Sequence, residues 1–549
     1  MLKWLWDSLG FGNAEQESET EHHDDNNGRF KGERGEIYYG EFGCEHTRRF
    51  NASHDHRAGQ ESSQSRANVL SLDDRFGALG ISMGQESAHV GSKFNQWQRP
   101  ESEYGKSDPS WVQGLKDSDC VGEMDISRQE WARAQEIVEE VLVKLLDEMK
   151  VRARAQFQGL RIDKYVRQGS SRDGLKVIAP DEFDTGFEFW IEGISFKECP
   201  IIKDGKRVPG FCYIKVNQTK TKLERNCPEL LKKEVFQEWT NGGMYLSSKK
   251  LHRHVFQSLM DQSLQTVASG YSGVTFTRKM NPPAINITIH LNDDAYKGFA
   301  PRGMLKQYVV TTKDIDVDII PALRLQIDQY SAYNDEKMNA TIHVICKWKE
   351  EESEKALEIA DQNFVWLINS VAYERHIFDV ARGDSKQQYI TTALRLVKTY
   401  LTKVKAICKR NNSTPPPITI LKSYHLKQIT CYVILYSCYL YPSTPINSAQ
   451  QALVYLLSFL HVCLDQAKLP HFFYSNPQIE GMFHNYPFRL STVDLRYDLF
   501  RKVKRDSLLQ AKMSLKRHMA TALRVNISNG DSDILSANFL KNISDGEYF

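Results

Sequence analysis

Two carboxylates one residue apart, Glu182 and Asp184, sit in the phenylalanine-rich run APDEFDTGFEFWIEG. Apolar runs are poor hosts for charge, so a pair of acids there calls for a compensating partner. In a β-strand alternate side chains face opposite ways. A strand over Glu182–Ile191 therefore turns Phe183, Phe187, Phe189 and Ile191 towards a core and projects Glu182 and Asp184 together from the other face. Acids that close repel, and one carboxyl shifts upward unless a cation sits between them. Magnesium or manganese, which takes hard oxygen ligands, meets that need. A further acid has to come from a neighbouring strand. The run KDIDVDIIPAL offers Asp314, Asp316 and Asp318 on one face, with Ile315, Val317 and Ile319 on the other. Any of these aspartates completes a site for two divalent cations, an arrangement that activates a hydroxyl and stabilises a leaving pyrophosphate. The plain alternative leaves all these acids solvated on half-exposed strands.

Gly169-Ser170 lies upstream of the pair, in QGSSRDGLKVIAPDEFD. Gly169 gives the backbone freedom to approach a phosphate, and Ser170 can donate its hydroxyl and backbone N–H to phosphate oxygens. A lone Gly-Ser carries nothing. Followed at this distance by E-x-D opening a strand, it points to a nucleotidyltransferase.

The elements that position these residues can be read from periodicity. Residues 13 to about 124 are rich in Glu, Asp, Ser, Gly, Asn, Gln and His, and too poor in branched aliphatics to offset their ordering entropy; a disordered tail is expected. Its apolar start, MLKWLWDSLGFG, puts Leu2, Trp6 and Leu9 on one helical face, compatible with a membrane-surface or partner-docking helix or with a sticky end of the tail. A capping box at Ser127-Arg-Gln-Glu130 opens a long amphipathic helix with Ile137, Val141, Leu145 and Met149 on one stripe, ending near Gly159. Strands are expected at Glu182–Ile191, Phe211–Val216, Ile285–Leu291, Ile315–Leu323 and Ala340–Cys346, with a helix over Ser248–Val267 between them. From residue 364 the pattern is helical: 364–379, 387–409, 423–441, 447–468 and 491–525, interrupted by Pro415-Pro416-Pro417. The expected architecture is an α/β core (125–345) with a mixed, mainly antiparallel sheet and a long spine helix, then an all-helical C-terminal lobe (346–549), after a tail at 1–124.

Composition narrows the setting. The chain has 549 residues and a formal net charge of +2, so a nucleic-acid surface would have to be a local patch. Its ten cysteines form no C-x-x-C pair, and no apolar run reaches the roughly 18 residues of a membrane span. Reduced thiols in a cytoplasmic protein are expected, with sequons such as Asn286-Ile-Thr288 unmodified.

Beyond these residues, GSSRDGLKVIAPDEFD follows without a gap the G-S…K-x-x-A-P-x-E-F-D block of the cyclic GMP-AMP synthase-like receptors, within the Mab nucleotidyltransferase superfamily, which the chain resembles over about 127–520. The resemblance implies that Ser170 contacts a triphosphate, that Glu182 and Asp184 bind metal and that Asp318, in VDIIPAL, is the third ligand, leaving Asp314 and Asp316 as surface acids. NFVWLINSVAYERHIF is similar to the family's W-R-x-S-x-S-x-x-E helix. Trp366 and Glu374 match, whereas Leu367 replaces a base-recognising arginine, and Asn369 and Val371 replace serines. LRLVKTYL aligns Lys398 with a phosphate-contacting lysine, and LKSYHLKQ aligns Ser423, Tyr424 and Lys427 with S-Y-H-x-K, in which Ser423 and Lys427 suit phosphate and Tyr424 suits stacking on a base. Where the family's vertebrate DNA sensor inserts a zinc-binding cluster this chain offers His376 and no cysteine, so no zinc is expected and His376 reads as a helix-surface histidine.

What the resemblance implies is a nucleic-acid-activated enzyme making cyclic GMP-AMP from ATP and GTP, with two Mg2+ or Mn2+ ions, as an antiviral signal. The alternatives are a non-catalytic scaffold or developmental protein of the same superfamily, or a synthase of another cyclic or linear product, which Leu367 keeps open. The polyanion surface is expected at Lys150, Arg152, Arg154, Arg161 and Lys164 together with Lys249, Lys250, Arg253 and His254. Double-stranded RNA, read by shape, is the expected ligand ahead of DNA, with a ligand-induced dimer also compatible. The plain alternative is that these charges merely solvate helices.

Overall fold

The first described helix is set by its cap and its stripe. In the computed structural model, α1 (Arg128–Gln156) begins where the Ser127 hydroxyl accepts from the Glu130 N–H at 3.2 Å. Ile137, Val138, Val141, Leu142, Leu145 and Met149 are all buried, so the amphipathic stripe read from the sequence is the face α1 presents to the sheet. Residues 124–239, 242–281, 284–292, 312–324, 334–335, 340–341, 343–348, 361–476, 479 and 494–527 are the ones the structure describes. The expected disordered tail and its apolar start lie outside them.

After α1 come β1 (Leu160–Gln168), a single helical turn α2 (Gly169–Arg172), β2 (Glu182–Ile191), β3 (Phe196–Lys203), β4 (Lys206–Val216), β5 (Phe236–Glu238) and β6 (Met244–Leu246). A helical segment follows, running through Ser248–Leu251 and a π turn at His252–Phe256 into α3 (Gln257–Ser269). Then come β7 (Val274–Asn281), β8 (Ala284–Leu291), β9 (Asp314–Arg324), the small pair β10 (Asn334–Asp335) and β11 (Ala340–Thr341), β12 (His343–Cys346) and β13 (Trp366–Ile368).

Eleven strands form one curled mixed sheet with the path β1-β2-β9-β12-β13-β4-β6-β5; β3 joins β4, and β7–β8 joins β9. Among the described pairings only β2–β9 is parallel. One face of β2 is the core face expected: Phe183 lies 5.7 Å from Trp131 of α1 and Phe189 lies 4.7 Å from Phe256, ring centre to ring centre. The other face differs from the half-exposed strand that alternation suggests. Asp184, Gly186 and Glu188 are buried there as well: the Gln168 side chain lies over Gly186, Arg324 and His343 bond Glu188, and Asp318 stands opposite Asp184. A strand in the middle of a curled, covered sheet has no wet face.

The C-terminal part is helical: α4 (Val371–Ala381), α5 (Ser385–Arg410), α6 (Ser423–Ile434) running into a π turn at Leu435–Leu440, α7 (Ala449–Gln466) and α8 (Arg505–Ser514). The proline run precedes a 3-10 turn at Pro417–Ile420, as expected of a helix breaker. Two helix expectations need correcting. Residues 366–368 are strand β13, because Trp366 pairs with both Cys346 and Cys212 and closes the sheet between β12 and β4. The last helix starts at Arg505, not 491: residues 494–504 form turns and a bridge from Asp498 to Pro470, with the Asp498 carboxylate accepting the N–H groups of Leu469 and Phe500. Backbone donors satisfied by an aspartate leave no reason for a helix there.

Candidate active site

Register builds the acid cluster. Parallel pairing sets Asp184 opposite Asp318 and Glu182 opposite Asp316, and the alternation of both strands turns Glu182, Asp184 and Asp318 to one side. One carboxylate oxygen from each lies within 4.8 Å of the others. Asp184 and Asp318 are 1% and 2% exposed, so water cannot screen their repulsion. Burial first, and then the charges of Asp184 and Glu182, push the Asp318 carboxyl up to about 7, against the pull of the Asn286 amide that donates to Asp318 Oδ1 at 2.9 Å. Lys176 offsets part of the charge: its Nζ lies 2.8 Å from Asp181 and 3.1 Å from Glu182. Burial opposes that ammonium, but the two acids hold its pKa above the usual lysine range.

Clustered hard oxygens under repulsion fit a divalent cation of the magnesium or manganese kind. Asp314 and Asp316 stand outside this group. Asp316 accepts from the Thr288 hydroxyl at 2.6 Å, and Asp314, largely exposed, pairs with His290 at 2.8 Å.

The Gly-Ser turn lies against the acids. Gly169 opens α2 at φ +77°, and a Cβ built on it would fall into the Asp184 carboxylate. Glycine is thus required here twice, for its left-handed backbone and for the space the acid occupies. Ser170, half-buried, follows it; its carbonyl accepts the Leu175 N–H at 2.9 Å. Ser171 donates its hydroxyl to the Glu182 carbonyl at 2.5 Å, tying the turn to the strand.

What periodicity and motif did not supply is how this turn is fastened to the helices. Arg172, fully buried, makes a bidentate pair with Asp379 of α4 at 3.1 Å on both arms. Asp173 accepts from Lys427 of α6 at 2.6 Å, and Lys427 also donates to Glu374 of α4 at 2.6 Å. Lys398 of α5 donates to the Leu175 carbonyl at 2.6 Å. Residues 172–175 are therefore held by α4, α5 and α6. The sequence carries no signal for these ties: in SSRDGL the charges of Arg172 and Asp173 stand among serines and a glycine, as they would in a solvated turn.

Two of the residues expected at a nucleotide, Tyr424 and Lys427, are drawn together by a third, Glu374. Glu374 accepts from the Tyr424 hydroxyl at 3.0 Å and the Ser370 hydroxyl at 3.1 Å on one oxygen, and from Lys427 on the other. The Tyr424 hydroxyl is also 3.0 Å from His471 Nε2, and the ring is buried, so in this structure it offers no stacking face to solvent. Burial, then Glu374, pushes the Tyr424 pKa well above the ordinary tyrosine value. Lys427 is likewise engaged rather than open to phosphate. Lys398 is buried, and burial followed by repulsion from Lys176 lowers its pKa to about 7. Ser423, the first residue of α6, is exposed. Leu367 is a buried core residue of β13. His376, expected as a helix-surface histidine, lies half-buried on α4, and burial lowers its pKa to about 4.

The expected polyanion surface is partly committed to intramolecular pairs. Lys150 pairs with Asp147 at 3.7 Å, Arg152 with Glu148 at 2.7 Å, Arg161 with Glu192 at 2.5 Å and Lys250 with Glu234 at 2.5 Å. Lys249 and Arg253 lie over the Trp348 ring at 5.7 and 4.6 Å. Arg154, Lys164 and His254 are exposed. No described helix is long and apolar enough to cross a membrane.

No curated protein matches the chain. A family model does: residues 171–379 match the Mab-21 protein nucleotidyltransferase domain. The matched span contains Glu182, Asp184, Asp318 and Glu374 and stops short of Lys398, Ser423, Tyr424 and Lys427. The Gly169-Ser170 turn lies just before the matched residues, and the acid cluster held between parallel strands lies within them: residues 171–379 of this chain are a Mab-21 nucleotidyltransferase domain.

Proposed function

We propose that the chain is a metal-dependent nucleotidyltransferase that joins ATP and GTP into a cyclic dinucleotide, cyclic GMP-AMP, as an innate immune second messenger in the cytoplasm. The observation that supports this best is the convergence of Glu182, Asp184 and Asp318 next to Gly169. The division of labour runs from residue to residue. Glu182, Asp184 and Asp318 are the catalytic and metal-holding acids; bound Mg2+ or Mn2+, two per site, would supply charge neutralisation at the phosphates and activate the attacking hydroxyl. Asp318, whose carboxyl sits near 7, gives up its proton to become a ligand. Gly169 lets the turn press against the Asp184 carboxylate, and Ser170, which follows it, donates to a triphosphate held there. Ser423, exposed at the start of α6, serves the phosphates, while Glu374, Tyr424, Lys398 and Lys427 back the nucleotide site from their buried contacts, Lys398 and Lys427 by holding the turn at 173–175. Because chemistry of this kind needs little more than orientation and charge, the strapping of residues 172–175 to three helices is what sets its precision.

The same reading makes the chain a sensor. A tail (1–124), a nucleotidyltransferase core (125–345) and a helical lobe (346–549) are its parts, and double-stranded RNA bound along α1 and the Lys249–Arg253 turn, with dimerisation on binding, is its activator. Arg154 and Lys164, exposed, are the first contacts on this view. Leu367 favours keeping a second product, another cyclic or linear nucleotide, in the assay. The test is incubation of the purified chain with all four labelled nucleoside triphosphates, Mg2+ or Mn2+, and RNA or DNA, with the products resolved. Cyclic GMP-AMP formed with RNA and lost in Asp184→Ala supports the proposal. Nucleotide binding without turnover over that panel returns the chain to a scaffold role.

A further inference from the structure

Strand β8 carries a row of hydrogen-bonding side chains along one face. Asn286 lies opposite Asp318, Thr288 opposite Asp316 and His290 opposite Asp314 in the antiparallel register with β9. Each pair is bonded: Asn286 Nδ2 to Asp318 Oδ1 at 2.9 Å, Thr288 Oγ1 to Asp316 Oδ1 at 2.6 Å, His290 Nδ1 with Asp314 Oδ1 at 2.8 Å. The spacing of Asn286-Ile-Thr288 is what places Asn286 and Thr288 on the same strand face.

Of the three aspartates only Asp318 joins Glu182 and Asp184 in the carboxylate cluster. We propose that Asn286 is a positioning residue for the metal site, holding Asp318 Oδ1 so that the carboxylate cannot turn and its other oxygen is left for the cation. The inference rests on the metal-binding reading of the acid cluster. A neutral amide suits the task. It fixes the acid through one N–H and leaves its negative charge in place, whereas a lysine or arginine there would cancel the charge the cation needs. Groups that hold metal ligands from behind are worth about 10–100-fold in metal affinity. Thr288, two residues on, does the same for an aspartate outside the cluster, and so provides a matched control on the same strand.

The test is Mn2+ binding to the full chain, followed by the electron paramagnetic resonance signal of free Mn2+, with no nucleotide and no turnover. Asn286→Ala and Asn286→Leu, the second keeping the side-chain bulk, are expected to weaken Mn2+ about 10–100-fold. Thr288→Val is expected to stay within about twofold of wild type, because Asp316 stands outside the ligand cluster. Asp318→Asn is expected to bind least. Wild-type affinity in both Asn286 variants, with Asp318→Asn impaired, overturns the inference, as does an equal loss in Thr288→Val. Equal affinity of wild type and Asp318→Asn would instead defeat the metal reading of the cluster.

Discussion

Asp184 and Asp318 face each other across the parallel pair β2–β9, both buried, while the Cβ position of Gly169 coincides with the Asp184 carboxylate. The turn and the acids therefore form one unit, and a change in either is felt by both.

Gly169→Ala tests this unit. The alanine meets a left-handed φ and the Asp184 carboxylate at once. Strain of this kind costs about 1–3 kcal/mol, visible in urea unfolding. Nucleotidyl transfer is expected to fall at least about a hundredfold, since displacement near the reacting atoms is that costly.

The Asp318 carboxyl gives a pH signature. Its folded pKa, about 7, lies above the ordinary aspartate value of 3.8, so the folded chain binds the extra proton between these values. Its contribution to stability is full below about pH 4 and is lost as pH rises through about 7. In metal-free buffer, thermal melts of wild type are expected to lose ground against Asp318→Asn between pH 5 and pH 8. Comparing the two proteins removes other titrating groups, such as Lys398, from the reading. Adding Mn2+ at pH 8 should restore wild type and not the variant.

Lys427→Ala separates a structural from a phosphate-binding role. Removing it leaves Asp173 and Glu374 as buried, unpaired acids, a change worth roughly 3–5 kcal/mol. A fall in stability of that size by denaturant titration, without nucleotide, is expected. A variant as stable as wild type but with raised KM would show that Lys427 serves phosphate alone.

Arg172→Lys asks whether the fork matters. Lysine keeps the charge but cannot reproduce the two 3.1 Å contacts to Asp379, and Arg172 is fully buried. A loss of about 2 kcal/mol in unfolding free energy is expected, on the scale of a hydrogen bond to a charged group.

Much of this was legible because period and chemistry agreed. The stripe of α1, the alternation of Glu182–Ile191 and the three aspartates of KDIDVDIIPAL each carried one pattern, and the structure follows it. Alternation alone left solvated acids on β2 as an alternative, because it cannot reveal that side chains from other strands, such as Gln168, Arg324 and His343, bury that face. Trp366–Ile368 resembled a helix start since three residues are too few to show a period, and only their pairing with β4 and β12 makes them a strand. Tyr424 and Lys427 stood out by type and spacing, yet their shared partner Glu374 lies some fifty residues away in sequence and is joined to them only by the fold.

The most direct measurement is anomalous diffraction from crystals of the chain grown with Mn2+ and a non-hydrolysable nucleoside triphosphate. The account predicts manganese peaks bounded by Glu182, Asp184 and Asp318, with the phosphates beside Ser170. Bound nucleotide with no manganese at these three carboxylates, or manganese elsewhere, would contradict it.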